Sequence, residues 1–148
     1  MAVEDNKKND EAAIQKLLDN LIKALHDKDI EGVMSVYAQD VVSFDVGGPL
    51  QYRGADTFRK VWQEAFSMVQ GPINYEIRDL DITVGDDVAF SHSFNQLSAT
   101  LTNGQMFGPW VRWTACFRKI DGRWRIVHHQ VSVPVDLETG RALLDLKP

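Results

Sequence analysis

Apolar residues recur at helical spacing early in the chain and predict three helices ahead of the long strands. The first apolar stripe consists of Ile14, Leu17, Leu18, Leu21 and Leu25. Asp10 is its predicted N-cap, and the polar residues 1–9 are expected to be disordered. Asp29 is predicted to cap a short second helix. The third helix is expected to begin near Gly54 and to end at Gly71-Pro72.

The period of the apolar pattern changes to two after the third helix, which predicts strands. After a short β-rich run over 41–46, the predicted strands are 73–84, 87–101, 107–119 and 123–133. Gly-Asp, Asn-Gly and Asp-Gly pairs between them favour tight turns. Helices followed by an antiparallel meander predict an α+β fold, with a curved antiparallel sheet wrapped around the N-terminal helices in one domain, 1–148.

Composition narrows the classes of partner. With 16 Lys+Arg against 21 Asp+Glu, the net charge is −5, and no basic cluster predicts a nucleic-acid partner. The single cysteine, Cys116, excludes an internal disulfide. No apolar run is long enough for a membrane span, and the polar start lacks the apolar core of a signal peptide. A cytoplasmic location is therefore expected.

The turn between the last two strands decides which residues face the core. A two-residue turn pairs Ile120 with Arg123, whereas a three-residue turn pairs Lys119 with Arg123, and a shift of one residue exchanges the faces. The three-residue turn is preferred because it unites Val127, His129, Val131 and Val133 with Trp113 and Phe117. Several large side chains then lie outside, which predicts a homodimer formed sheet to sheet. The predicted interface residues are Trp110, Arg112, Trp124, Ile126, His128 and Gln130.

Polar groups are expected to converge in an apolar cup between the helices and the sheet. His92 shares a strand face with Phe90 and Phe94, and Asp45 ends the β-rich run before a Gly-Gly-Pro turn. An aromatic cavity with a few polar groups is a typical small-molecule site. Its predicted wall residues are Tyr37, Tyr52, Phe58, Trp62, Phe66, Phe94 and Trp113.

Each of these residues also has a purely structural interpretation. His92 and His129 are equally consistent with hydrogen-bonded core histidines, Asp45 with a brace for its turn, and the third-helix aromatics with plain core. His128 points away from His129 on a regular strand, so the pair does not clamp one ion. The nearest set of metal ligands is His92, His129 and Asp45, but no metal-spacing motif supports it. No metal and no organic cofactor are predicted.

The order of elements over about residues 10–134 resembles the cone-shaped, cystatin-like fold of the nuclear transport factor-like superfamily. The ending FRKIDGRWRIVHHQVSVP (117–134) is similar to that of small bacterial SnoaL-like proteins. The stretch from Asp121 to His128 also resembles the association domain of calcium/calmodulin-dependent protein kinase, where alternate residues after the tryptophan line a pocket. This resemblance supports an inward-facing His129.

The segment YAQDVVSFDVGG (37–48) is similar to the corresponding segment of ketosteroid isomerase, in which the catalytic aspartate follows a tyrosine by eight positions. Asp45 stands at that position after Tyr37. The resemblance implies an isomerase, cyclase or lyase that acts on an apolar carbonyl compound, with Asp45 as general base. An apolar surrounding suits that role because desolvation raises the pKa of a carboxyl group. His92 or His129 would be the partner acid or oxyanion donor.

The chain departs from the isomerase pattern at both oxyanion donors. Leu21 stands where the isomerases have a tyrosine, and the inward face of the strand at 107–119 carries no carboxyl group. His92 or the indole N–H of Trp113 is predicted to supply a donor in their place. The alternative function is therefore a non-catalytic, dimeric module that binds a small-molecule ligand or associates with other chains.

Overall fold

The computed structural model describes residues 2–148 and confirms the α+β fold class. The helices are α1 (Ala2–His26), α2 (Ile30–Met34) and α3 (Ala55–Ser67). The strands are β1 (Tyr37–Phe44), β2 (Tyr52–Arg53), β3 (Val69–Val84), β4 (Val88–Leu101), β5 (Met106–Phe107), β6 (Trp110–Ile120) and β7 (Arg123–Ser132). They form one seven-stranded sheet in the order β2-β1-β7-β6-β4-β3, with β5 beside β4.

Every strand pair is antiparallel except β1 and β7, which run parallel. β-bulges interrupt the pairing within β3 and within β7, and bulges of this kind bend strands. α1 packs against β3 and α2, so its leucines fill one end of the sheet's inner face. α3 packs against β1, β2 and β3 and covers the other end. The cavity described below lies beneath α3.

Two helix boundaries differ from the sequence prediction. α1 begins at Ala2, so Asp10 lies within the helix, where its carboxylate accepts hydrogen bonds from Lys119 Nζ and Trp124 Nε1, each at 3.0 Å. The polar residues ahead of Asp10 extend the helix because nothing in them breaks it. α3 ends at Ser67, and Gly71-Pro72 lies inside β3 at a bulge between Gln70 and Asn74. Asp29 caps α2 as predicted by accepting from the N–H of Gly32.

The preferred three-residue turn is wrong. Ile120 pairs with Arg123 across Asp121 and Gly122, whose φ values of 52° and 79° fit a two-residue hairpin turn. Trp124 and Ile126 therefore face the core, at 4 % and 0 % exposure, and do not belong to an outer interface.

A bulge at residue 127 reconciles this turn with an inward-facing His129. Phe117 pairs with Ile126 while the adjacent Cys116 pairs with His128, so one residue of β7 has no partner opposite. The bulge reverses the side-chain alternation, and His129 is buried on the same face as Ile126. The interior therefore receives Trp124 and Ile126 from the part of β7 before the bulge, and His129 and Val131 from the part after it.

The two faces of β4 are the reverse of the prediction. The inner face carries Ala89, Ser91, Ser93 and Asn95, all buried, whereas Val88, Phe90, His92 and Phe94 are exposed on the outer face. Small residues face inward because large side chains from other elements, such as Trp113 and Phe117 of β6, occupy the interior. His92 and Phe94 therefore belong neither to the cup nor to any site inside it.

Candidate functional site

A cavity of about 360 Å³ lies between α3 and the inner face of the sheet. Its size falls within the range of about 300–1,000 Å³ that is typical of ligand sites. The walls are mostly apolar and come from α3, β3, β4, the start of β6 and the end of β7, with Leu144 of the C-terminal tail at the edge. The polar lining residues are Asp45, Trp62, Tyr75 and His129.

Asp45 follows β1 directly and presents the carboxylate of the cavity. The residue remains exposed as a whole, but surrounding protein atoms remove part of the water from its carboxyl group. This desolvation raises the pKa of Asp45, and a hydrogen bond of 2.7 Å from the N–H of Val46 to Oδ1 opposes the rise. A carboxylate with a raised pKa is a stronger base than an ordinary aspartate and stays oriented by the bond from Val46.

His129 lines the cavity, but its two ring nitrogens are already engaged. Nδ1 receives a hydrogen bond of 3.1 Å from the indole N–H of Trp113, so Nδ1 carries no proton. Nε2 therefore carries the proton and donates it to Ser43 Oγ at 2.7 Å. Burial lowers the pKa of His129 to about 3, and the nearby His128 adds to that shift. His129 is thus a neutral, hydrogen-bonded core histidine and has no free donor for a ligand.

Tyr75 stands at the end of a chain of hydrogen bonds on the cavity wall. Ser93 Oγ donates to Asn95 Oδ1 at 2.6 Å, and Asn95 Nδ2 donates to Tyr75 Oη, also at 2.6 Å. Because Tyr75 Oη accepts from Asn95, its own proton is available to another acceptor. Burial raises the pKa of Tyr75 to about 12, and the negative charge of Asp45 contributes to the rise. The phenol therefore stays protonated over the ordinary pH range.

Trp62 contributes a second N–H group to the same region. Its Nε1 is fully buried and makes no hydrogen bond of normal geometry. Burial also raises the pKa of Tyr37, with contributions from Tyr75 and Asp45, while a weak hydrogen bond from the Trp62 indole N–H to the Tyr37 hydroxyl opposes the rise. The side chains of Trp62, Tyr37, Tyr75 and Asp45 therefore lie near one another.

The predicted wall residues divide into lining and supporting groups. Phe58 and Trp62 line the cavity, whereas Tyr37 lies behind them with its ring 4.9 Å from that of Phe58. Phe66 supports Trp62 at 5.9 Å between ring centroids. Trp113 is buried behind His129 and does not reach the cavity.

Tyr52 does not reach the cavity either. Its hydroxyl occupies the space that a side chain at residue 48 would need, so Gly48, with a φ of 80°, closes the turn over it. Tyr52 therefore supports the loop that carries Asp45 and has no contact with the cavity.

The sequence analysis missed Tyr75 and Asn95. Ile73, Tyr75 and Ile77 alternate along β3, and this pattern was sufficient to place the phenol on the inner face. Asn95 alternates with Phe94 along β4, so the prediction that turned Phe94 inward left Asn95 on the outer face.

His92, His129 and Asp45, the nearest set of metal ligands in the sequence, do not converge in the structure. His92 lies on the opposite face of the sheet from His129. Across residues 2–148, no cluster of three or more His, Cys, Asp or Glu side chains is suited to holding a metal ion. Within the same residues, no helix has the length and hydropathy needed to cross a membrane.

Comparisons with known proteins identify the fold and the domain family of this chain. The family model described as a SnoaL-like domain matches residues 14–136. An NTF2-like protein of unknown function from Pseudomonas putida KT2440 is 31 % identical, with 95 % of this chain and 98 % of that chain covered at a TM-score of 0.86. A search of curated proteins gives no significant match.

Two more distant structures share the fold. A ketosteroid isomerase-like protein from Erwinia carotovora atroseptica is 24 % identical, with 82 % of this chain and 93 % of that chain covered and a TM-score of 0.69. A proposed dehydratase of the NTF2-like family from Streptomyces avermitilis is 16 % identical, with 88 % and 99 % covered and a TM-score of 0.77.

Proposed function

This chain belongs to the SnoaL-like domain family, and on that premise we propose that it binds a small apolar carbonyl compound and moves a proton beside the carbonyl group. Asp45 is the general base of this reaction. The single observation that carries the proposal is the position of a carboxylate of raised pKa in the lining of a mostly apolar cavity.

The chemistry requires a base that is only partly hydrated. A C–H group beside a carbonyl is a weak acid, so the base must have a high proton affinity and must lie close to the carbon atom. Desolvation supplies the first condition at Asp45, and the apolar walls supply the second by holding the hydrocarbon body of the ligand. Asp45 takes the proton, the carbonyl compound becomes an enolate, and return of the proton to a carbon atom completes an isomerisation or an exchange.

The neighbours named as isomerase-like and dehydratase support this class of reaction by analogy of fold alone. Isomerisation by proton transfer and dehydration both remove a proton from a carbon atom without a redox step; dehydration also expels the hydroxyl group of the adjacent carbon as water. The cavity of this chain holds polar groups suited to such a transfer.

Blocking the cavity tests the proposal without touching its polar groups. Ala65 lies on α3 and lines the cavity, so Ala65→Trp is expected to fill it. The native chain should catalyse hydrogen–deuterium exchange at the methylene group between the ring and the carbonyl of 2-tetralone, followed by proton NMR in D₂O. Ala65→Trp should reduce the exchange to the buffer rate.

The matched control is Ala12→Trp, which adds the same side chain on an exposed position of α1 and should leave the exchange unchanged. Exchange at the buffer rate with the native chain, across 2-tetralone and related bicyclic ketones, would contradict the proposed function. Full exchange in Ala65→Trp would show that the reaction takes place elsewhere.

A second candidate function, association between two copies of the chain, is favoured by the outer face of the sheet. Val88, Phe90 and Phe94 form an apolar row there, with exposures of 52 %, 49 % and 38 %. Arg112 and Arg118 of β6 flank this row on one side, and Glu76, Arg78 and Asp81 of β3 flank it on the other. We propose a homodimer in which a two-fold axis brings the apolar rows of two copies against each other.

The predicted interface is retained only in part. Trp110, Arg112, His128 and Gln130 lie on or at the edge of the outer face and stay in the proposed interface. Trp124 and Ile126 are excluded from it because both are core residues.

Phe90→Glu tests the proposed dimer by placing a charge in the centre of the apolar row. The native chain should elute as a dimer in size-exclusion chromatography with light scattering, and the variant should elute as a monomer because a buried, unpaired charge opposes association. Leu50→Glu, at a loop residue that is 96 % exposed, is the control and should remain dimeric. A native chain that is monomeric at all concentrations would contradict the dimer.

A further inference from the structure

A second cleft, of about 510 Å³, lies between α1, the residues that precede β1 and the start of β7. We propose that this basic cleft binds the phosphate group of a small phosphorylated molecule. Its polar lining side chains are Lys16, Asn20, Ser35, Arg123 and Arg125. None of the residues described as lining it lines the cavity beneath α3, so the inference is independent of the proposed function.

The charge of the basic cleft is opposite in sign to that of the whole chain. Lys16, Arg123 and Arg125 line it, and the lining residues described include no Asp or Glu, although the net charge of the chain is −5. Asp10, which accepts from the Trp124 indole, is already paired with Lys119 at 3.0 Å. The fold brings these cations together from two distant segments, so a scan along the chain does not reveal the cluster.

The three cations have no carboxylate partners within residues 2–148. The ion pairs there are formed by other basic residues, which are Lys23, His26, Arg59, Arg78 and Lys119. In addition, Arg118 of β6 stands directly opposite Arg125 of β7. Like charges directly opposite on neighbouring strands destabilise a sheet, and an anion beside Arg125 would offset this repulsion.

One of the guanidinium groups in the basic cleft is held in place. Arg125 is half-buried, and its Nη1 donates a hydrogen bond of 3.0 Å to the backbone carbonyl of Trp124. Most of the N–H donors of Arg125 remain available, and a guanidinium group can bind two oxygens of one phosphate in parallel. Because the side chain is already ordered, less conformational entropy is lost when an anion binds.

The edge of β7 adds a backbone donor to the cations. The N–H of Ile126 donates to Val36 O at 2.8 Å, on the side of β7 that faces away from β6. Trp124 stands two residues earlier, so its N–H points to the same side. β1 begins at Tyr37, opposite Ile126, so no strand of the described residues lies beside Trp124 at this edge. Backbone N–H groups beside basic side chains are well suited to binding an anion.

A phosphate group matches these donors better than a carboxylate does. A phosphate monoester carries a charge of about −1.5 to −2 at neutral pH and has three acceptor oxygens, whereas a carboxylate has a single charge and two oxygens. The volume of the basic cleft also leaves room for an organic part of the ligand. Ala13, Leu17 and Val36 supply an apolar wall for that part.

Pyrophosphate is the probe for this site. It is titrated at low ionic strength into the nitrogen-15-labelled chain and followed by proton–nitrogen NMR. Saturable shifts are expected at the backbone N–H groups of Arg123, Trp124 and Arg125, with Tyr75 in the other cavity unaffected. Citrate carries a similar negative charge spread over three carboxylates, and it should bind roughly tenfold more weakly.

Variants assign the binding to individual cations. Lys16→Gln, Arg123→Gln and Arg125→Gln should each weaken pyrophosphate binding by roughly three- to tenfold, because each removes a charge-assisted hydrogen bond. The controls Lys60→Gln on α3 and Arg141→Gln in the C-terminal tail remove the same charge elsewhere and should leave the affinity unchanged.

Three results would overturn the inference. They are the absence of a saturable shift at Trp124, equal affinity for pyrophosphate and citrate, and native affinity in both Lys16→Gln and Arg123→Gln. Ala65→Trp, which fills the cavity beneath α3, should keep the native affinity for pyrophosphate. A loss of affinity in that variant would contradict the separation of the two sites.

Discussion

Asp45→Asn is expected to lower the rate of proton exchange on a bound ketone by about 10²–10⁴-fold, the usual contribution of a general base. Asparagine has nearly the same shape as aspartate and can still accept the hydrogen bond from the N–H of Val46. The loop and the cavity should therefore be preserved while the proton acceptor is lost. Ketone affinity, measured by calorimetry, should change little because the apolar walls are untouched.

Asp40→Asn is the control for this variant. Asp40 is an exposed acid on β1, the strand that precedes Asp45, and it does not line the cavity. Its replacement changes the net charge by the same amount and should leave the exchange rate unchanged. An Asp45→Asn variant that binds the ketone and exchanges its protons at the native rate would show that Asp45 is not the base.

Acidification is expected to destabilise the protein through His129. The folded state holds the neutral ring, with a pKa of about 3, whereas the unfolded state takes up a proton near the ordinary histidine value of about 6.5. The contribution of His129 to the free energy of unfolding is therefore complete above about pH 6.5 and is lost as the pH falls toward 3. The loss approaches about 1.4 kcal/mol per pH unit, or about 2 kcal/mol between pH 7 and pH 5.

Urea denaturation at pH 7, 6 and 5 measures this loss directly. His129→Gln removes the titrating group, so its free energy of unfolding should fall less steeply over this interval, although the variant is less stable at pH 7. His26→Gln, at the exposed end of α1, should keep the native slope. A native slope in His129→Gln would mean that other groups cause the acid sensitivity and that His129 is not held neutral.

The order of the helices and strands could be predicted because local signals determine it. Apolar spacing identified α1 and α3, and an Asp cap identified the start of α2. The resemblance of residues 37–48 to the corresponding segment of ketosteroid isomerase selected Asp45, which lines the cavity. The periodicity of helices and strands depends only on residues that are close in sequence, so it can be read directly from the sequence.

The orientation of β4 and β7 could not be predicted because it depends on packing between distant elements. A single bulge at residue 127 lets Trp124 and His129 share the inner face, and no residue type in the stretch marks that bulge. On β4, the larger apolar residues face outward because Trp113 and α1 already fill the interior. Hydrophobicity alone does not distinguish a core face from an interface face.

The roles of the polar residues were likewise decided by contacts that sequence does not show. His129 was correctly placed inside, but Trp113 and Ser43 occupy both of its nitrogens and leave it no part in proton transfer. Tyr75 acquired importance only through Asn95, a residue whose strand face was assigned wrongly. Hydrogen-bond partners distant in sequence therefore decide which polar groups remain free.

The pH dependence of ketone exchange, compared in the native chain and in Asp45→Asn, tests the central proposal most directly. The native rate should rise with pH through one ionisation and then level off, since only the deprotonated carboxylate accepts a proton. The midpoint should lie above the ordinary aspartate pKa of 3.8, because desolvation raises the pKa of Asp45. A native rate that does not vary with pH, or the same ionisation retained in Asp45→Asn, would contradict it.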